Sequence, residues 1–128
     1  KLADLWQARG ERRYEIDDIM LLKVGRHIRP RPHFKLMIGR DDGENNFLKG
    51  YRKRYQHMHA SSHRGPLVLI DGDPNEDDLQ LAARLTARFG KGRMDDEVTV
   101  TLHDLSDQTT EYKVAPFPPD DIPQEWYL

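Results

Sequence analysis

Lys49, Arg52 and Lys53 stand at i, i+3 and i+4, the spacing that brings side chains together on one face of a helix. Three cations held this way can grip phosphate oxygens. Arg26, Arg40 and Arg64 add to the same candidate surface, and if two strand-like stretches pair as a hairpin, Lys23, His27, Arg29, His33 and Lys35 share one basic face. Few exposed aromatics interleave with these residues. Reading of unpaired bases leans on aromatic stacking, so the set points to a salt-sensitive RNA binder that grips phosphates and backbone shape with weak sequence preference. A plainer account is a solvated helix face whose cations pair with carboxylates elsewhere in the chain. Charge alone does not separate the two.

His57-Met58-His59, followed by His63, is the one histidine cluster. Residues two apart on a strand share a face, so His57 and His59 could hold a divalent metal together with His63 from the loop beyond. No HExxH run or cysteine pair accompanies them, and ordinary surface histidines, or histidines beside phosphates, suit the pattern better. Asp71-Gly72-Asp73 with Asp77-Asp78 lacks the glycine position and the closing glutamate of a calcium loop, which leaves helix capping as its role. Asp95-Asp96-Glu97 reads as a solvated turn. Ile38-Gly39-Arg40 precedes a helix without either glycine-rich phosphate motif. No Ser/His/Asp order or carboxylate pair stands out as catalytic. Arg84 and Arg88, near a helix end, gain from its dipole with or without RNA.

Capping and periodicity define the elements that carry these residues. A short helix over residues 2–9 closes at Gly10, and a polar linker runs to Asp18. Strand patterns follow over residues 19–28 and 33–39, separated by Pro30-Arg31-Pro32. Two D-x-x-E sequences, Asp41 to Glu44 and Asp73 to Glu76, predict helices over about 43–55 and 74–89. Phe47, Leu48, Tyr51 and Tyr55 form the apolar stripe of the first. Leu79, Leu81, Ala82, Leu85 and Phe89 form that of the second. A short strand over 55–60, an apolar strand over 67–70 and a hairpin around Ser106-Asp107-Gln108 complete the pattern. The tail, with Pro116, Pro118, Pro119 and Pro123, is expected to run extended and dock Trp126 and Tyr127.

The balance of charge along the chain is uneven. Residues 1–64 hold 15 Lys/Arg against 8 Asp/Glu, residues 65–128 hold 5 against 14, and the total is only −2. At 128 residues the chain has the length of one domain. It contains no apolar run that would span a membrane, and no cysteine for disulfides, thiolate metal sites or thiol catalysis, which fits a cytoplasmic protein. Beginning at Lys1 rather than methionine, it reads as a piece of a longer chain.

Leu22-Lys23-Val24-Gly25-Arg26-His27, then Lys35-Leu36-Met37-Ile38-Gly39-Arg40-Asp41-Asp42-Gly43-Glu44-Asn45, then Gly65-Pro66 before an apolar strand, then Glu76-Asp77 through Ala82-Ala83-Arg84-Leu85 to Lys91 and Arg93 occur in one order, within roughly Ile19 to Arg93. This series resembles the RNA-binding R domain of the NFACT family, in the version fused to thiouridine-synthase-like PP-loop ATPases that thiolate tRNA. The resemblance implies an accessory module that presents tRNA to a catalytic PP-loop domain elsewhere in the parent chain, itself catalytically silent and without a cofactor. It implies RNA-facing roles for Arg26, His27, Lys35, Arg40, Asn45, Lys91 and Arg93. Two departures concern contacts near the first helix start: Asp41 stands where asparagine is common, and Pro30-Arg31-Pro32 replaces a more ordinary turn. An anionic Asp41 favours capping over phosphate binding.

The expectation is an α+β domain with a mixed or mainly antiparallel sheet and two main helices, residues 1–18 being helix and linker, 19–115 the RNA-binding unit and 116–128 the tail. Its RNA site would comprise Lys23, Arg26, His27, Arg29, Lys35, Arg40, Asn45, Lys49, Arg52, Lys53, Arg64, Lys91 and Arg93. Two other classes remain: a protein-interaction module using the acidic second half, and a metal-dependent domain built on His57, His59 and His63.

Overall fold

A computed structural model of the chain describes residue 4 and residues 20–128. Apart from Asp4, the helix expected over 2–9 and the linker after it lie outside the described residues. The elements are β1 (Arg26–Arg31), β2 (Phe34–Ile38), α1 (Asp42–Lys49), β3 (Gln56–Ala60), β4 (Val68–Gly72), α2 (Glu76–Arg88), β5 (Val98–His103) and β6 (Thr109–Val114). All six strands pair antiparallel in one sheet, in the order β1-β2-β4-β3-β5-β6. The α+β class and the two main helices are as expected. Among the described residues no helix is long and apolar enough to cross a membrane.

Strand alternation creates two unequal layers. Ile28, Phe34, Leu36, Ile38, Met58, Val68, Ile70, Val98, Val100 and Leu102 point to one face and bury Ala82, Ala83, Leu85 and Ala87 of α2. On the opposite face only Met37, Leu67 and Leu69 offer apolar surface, and there they meet Leu21 and Leu48, with Phe47, Tyr51 and Tyr55 packed around them. The rest of that face is polar, with Thr99, Thr101 and His103 alternating with the buried residues of β5. A helix buries its stripe only where the sheet is apolar, so α1 covers one half of the face.

Three boundaries differ from those the sequence suggests. Met20–Leu22 is helical rather than extended, and the N–H groups of Lys23 and Val24 bond back to the carbonyls of Met20 and Leu21 (3.1 and 3.2 Å). Leu21 and Leu22 are both buried, which the alternating faces of a strand disfavour. α2 begins at Glu76 because Asn75, not Asp73, closes the capping box: Asn75 Oδ1 accepts the Asp78 N–H (2.9 Å) and Asp78 Oδ2 accepts the Asn75 N–H (3.0 Å). Asp78 also meets His33 Nε2 at 2.6 Å. Burial pushes its carboxyl up, but the bonds from His33 and Asn75 outweigh this and hold it below its ordinary value. α1 ends at Lys49, six residues before the predicted end.

The tail docks Trp126 and Tyr127 as expected but is not extended throughout, since Pro119–Asp121 and Gln124–Trp126 each form a short 3-10 turn. Arg84 Nε donates to the Ala115 carbonyl (3.1 Å), and its guanidinium lies 5.1 Å from the centre of the Phe117 ring. Trp126 and Tyr127 pack against the α2-side core. Tyr127 forms an antiparallel bridge to Ile28, and the Leu128 N–H donates to the His27 carbonyl (3.0 Å). The edge strand β1, where Pro30 falls in a register shift, is therefore partly covered.

Candidate nucleic-acid interface

Where α1 stops short, the polar half of the sheet face opens into a groove. Its lining includes His57 and His59 of β3, His103 of β5, the end of α1 with the turns after it, and the loops that follow β3 and α2. Seven cations line it, Arg40, Lys49, Arg52, Lys53, Arg64, Lys91 and Arg93, against three carboxylates, Asp41, Asp42 and Asp107. Its volume of about 1590 Å³ exceeds the roughly 300–1,000 Å³ of small-molecule sites. Positive, open and this large, it has the dimensions to take a segment of a polyanion rather than a metabolite.

Local geometry sets each group of cations. Beyond Lys49 the chain continues in tight turns, with Tyr51 and Arg52 N–H groups reaching the Leu48 and Lys49 carbonyls (3.0 and 3.4 Å) and Arg52 Nε donating to the Lys49 carbonyl (3.1 Å). Lys49, Arg52 and Lys53 stay exposed along one border although the helix has ended. Arg64 reaches Lys91 and Arg93 through a close approach of two loops. The Lys91 N–H donates to the Arg64 carbonyl (2.7 Å), and a Cβ on Gly65 would stand 3.2 Å from the Gly90 Cα. A side chain at either glycine would push the two loops apart by a few tenths of an ångström.

The Gly39-Arg40 and Glu44-Asn45 pairs serve the fold first. Glu44 accepts the Gly25 N–H (2.8 Å), the Arg40 N–H (2.9 Å), Arg40 Nε (2.9 Å) and Arg40 Nη2 (2.8 Å). The Arg40 guanidinium, aided by the two backbone N–H groups and opposed by burial, holds the Glu44 carboxyl down to about 2. Asp41 caps α1 by accepting the Glu44 N–H (2.8 Å). Asn45 Oδ1 accepts the Leu67 N–H (3.1 Å) and fills the space a side chain at Gly39 would need. Glu44 and Asn45 thus clasp β1, α1 and β4, and they leave half of the Arg40 side chain in solvent at the groove (53% exposed).

Eight of the thirteen expected site residues line the groove: the seven cations and Asn45. The other five do not. His27 and Lys35 are each 1% exposed, and His27 Nε2 faces the carbonyls of Leu21 and Val24 (3.0 and 2.9 Å). Arg29 makes a two-pronged ion pair with Asp4 (2.7 and 2.9 Å). Arg26 lies on the α2 side, its guanidinium 4.5 Å from the centre of the Phe89 ring. Lys23 is exposed but outside the groove. The expected basic face of the first hairpin is therefore no open surface, because the layer carrying Leu21 and α1 lies over that side of the sheet.

The histidines assemble differently from the expected trio. His57 and His59 share a face, but the third ring beside them is His103, paired across strands with His57. Its ring stacks at 4.7 Å and 6° on His57 and lies edge to edge with His59, the centroids 5.3 Å apart and the planes 22° from parallel. Burial, together with the charges of His103, Arg52 and His59, pushes the His57 imidazole below its ordinary value. His63 is engaged elsewhere, its Nε2 meeting Asp95 Oδ2 (2.5 Å) and its Nδ1 meeting Ser62 Oγ (2.7 Å). That Ser–His–Asp chain is a loop clasp: Ser62 Oγ also accepts the Thr99 N–H (2.9 Å), and Asp95 is 61% exposed, unlike the buried orienting carboxylate of a nucleophilic triad. Among the described residues no three His, Asp or Glu side chains converge to hold a metal. His103 and Phe89 were missed as groove residues. The only signal for His103 was its place in the Thr99, Thr101, His103 alternation.

Residues 25–127 match the family described as the NFACT protein RNA binding domain. Among solved structures, the C-terminal of the fibronectin/fibrinogen-binding protein from Streptococcus suis (FBPS) is similar, with a TM-score of 0.68 and 21% identity over 82% of this chain and 49% of that one. At that identity the likeness concerns the fold, and this chain spans about half the length of that structure. No curated protein matches. Because the family match takes in every strand and helix that builds the groove, the chain belongs to the NFACT RNA-binding domain family.

Proposed function

We propose that the groove binds RNA, and specifically tRNA, on behalf of a cytoplasmic, thiouridine-synthase-like enzyme whose PP-loop domain supplies the catalysis. The observation that carries RNA binding is the convergence of seven cations from separate segments on one open groove in a chain of net charge −2. Overall charge gives a polyanion no reason to approach, so local arrangement must supply the attraction. Membership of an RNA-binding domain family supports the same reading. The tRNA and PP-loop parts rest on the ordered motif series from Leu22 to Arg93. The absence of cysteine from the chain fits a module that leaves sulfur chemistry to another domain.

The test is binding of bulk tRNA over a salt series, with duplex DNA of equal charge alongside. If about four to six of the cations meet phosphates, log affinity falls against log salt with a slope of about −4 to −5. No tRNA binding at low salt overturns the RNA reading, and equal affinity for the DNA removes the preference for RNA. A parent reading frame without a PP-loop domain removes the thiolation context.

A further inference from the structure

The histidine stack in the groove is a built feature that phosphate binding leaves unused. We propose that His57, His103 and His59 form a base-stacking platform, so that the groove takes single-stranded RNA with an unpaired nucleobase laid against the imidazoles and its phosphates on the surrounding cations. This rests on the RNA reading above and adds to it the part of the nucleic acid that the domain receives.

Three observations carry the inference. The rings are held nearly parallel by the register of two neighbouring strands, His57 lying directly across from His103. Four of their six ring nitrogens meet partners within the protein. His59 Nε2 and His103 Nε2 meet at 3.1 Å, His57 Nδ1 lies 3.4 Å from the Tyr55 carbonyl and His59 Nδ1 lies 3.3 Å from the Ala60 carbonyl. A bond between two Nε2 atoms needs a lone pair on one of them, so at least one of these two rings is neutral. With those four nitrogens occupied, the rings offer more π-surface than free donors and acceptors. Finally, they stand half-buried in a groove that also carries Lys49, Arg52 and Arg64. π-surface combined with a cationic track is the arrangement that binds single strands with little sequence preference.

Cross-strand pairing alone would explain three adjacent rings, and the experiment separates that account from a platform. Fluorescence anisotropy compares an oligoadenylate with an abasic oligomer of equal phosphate number and with an RNA duplex. The wild-type domain is expected to bind the oligoadenylate roughly tenfold or more tighter than the abasic strand. His103→Ala should abolish that difference without changing the salt slope, and His103→Phe should retain it. Equal wild-type affinity for oligoadenylate and abasic strand overturns the platform while leaving RNA binding in place, and this comparison needs no variant to fold. A His103→Ala protein that folds and keeps the full difference overturns it too. Loss of affinity for all three probes at low salt overturns the RNA reading itself.

Discussion

Replacing Glu44 with alanine tests whether the Gly-Arg and Glu-Asn pairs act as a clasp. Glu44 is 16% exposed and accepts four bonds from Gly25 and Arg40. Removing the carboxylate strands the part-buried Gly25 N–H, at about 1–3 kcal/mol for an unsatisfied donor. The Arg40 groups are exposed and rehydrate, so their loss adds little. The depressed carboxyl gives the direction of the pH effect; the largest cause of its shift is the bond from the Arg40 guanidinium, which is half in solvent, so the magnitude rests on the Gly25 N–H. The expected loss is about 1–3 kcal/mol, or about 4–10 °C in Tm for a domain of this size.

The sign of the pH dependence follows from the depressed value. A carboxylate whose folded pKa lies below its unfolded one contributes fully above about 4.5 and loses that contribution as pH falls towards 2. The difference in Tm between wild type and Glu44→Ala, followed by circular dichroism, should be largest near neutrality and close towards pH 2. Asp78 is depressed in the same direction, so the wild type alone would not isolate Glu44; the difference between the two proteins does. A variant within about 0.5 kcal/mol of wild type at pH 7, or a difference that does not shrink in acid, would refute the clasp.

Lys49→Glu combined with Lys53→Glu reverses two exposed charges on the groove border. tRNA binding in a filter or anisotropy assay should be lost while Tm moves by less than about 1 kcal/mol equivalent; unchanged affinity would remove this border from the site. Gly39→Ala places a Cβ where Asn45 Oδ1 sits and forces Asn45 off the Leu67 N–H. A loss of about 2–3 kcal/mol in urea unfolding is expected, and a neutral result would show that Asn45 moves aside without cost.

Much of the fold was legible because its signals are local. Asp41 caps α1 and Asn45 lies one turn on, as the motif order suggests. The stripe Phe47, Leu48, Tyr51 and Tyr55 faces the sheet, and the alternation of Val98, Val100 and Leu102 gives β5 its buried face. Local signals failed where two were nearly equivalent. Asp73 and Asn75 are both good caps, and the choice went to Asn75 because Asp78 can complete the box and also reach His33. Met20, Leu22 and Val24 suited a strand until the burial of Leu21 beside Leu22 favoured a helical turn.

For the site, residue type and spacing by themselves placed Lys49, Arg52 and Lys53 along one border, since i, i+3 and i+4 neighbours are close in a helix, and the turns that follow Lys49 keep all three at the groove. They also determined that the cations concentrate in the first half of the chain. Which cations reach solvent was a tertiary decision. Lys35 and His27 went under the α1 layer, Arg29 went to Asp4, and Lys91 came from the acidic half to Arg64 through the contact of Gly65 with Gly90. The stack of His57, His59 and His103 was likewise invisible in one dimension, because 44 residues separate His59 from His103. Periodicity tells a residue which face of its own element it occupies; only sheet register and layer packing decide what lies opposite, and therefore whether a charge is covered or free to meet a ligand.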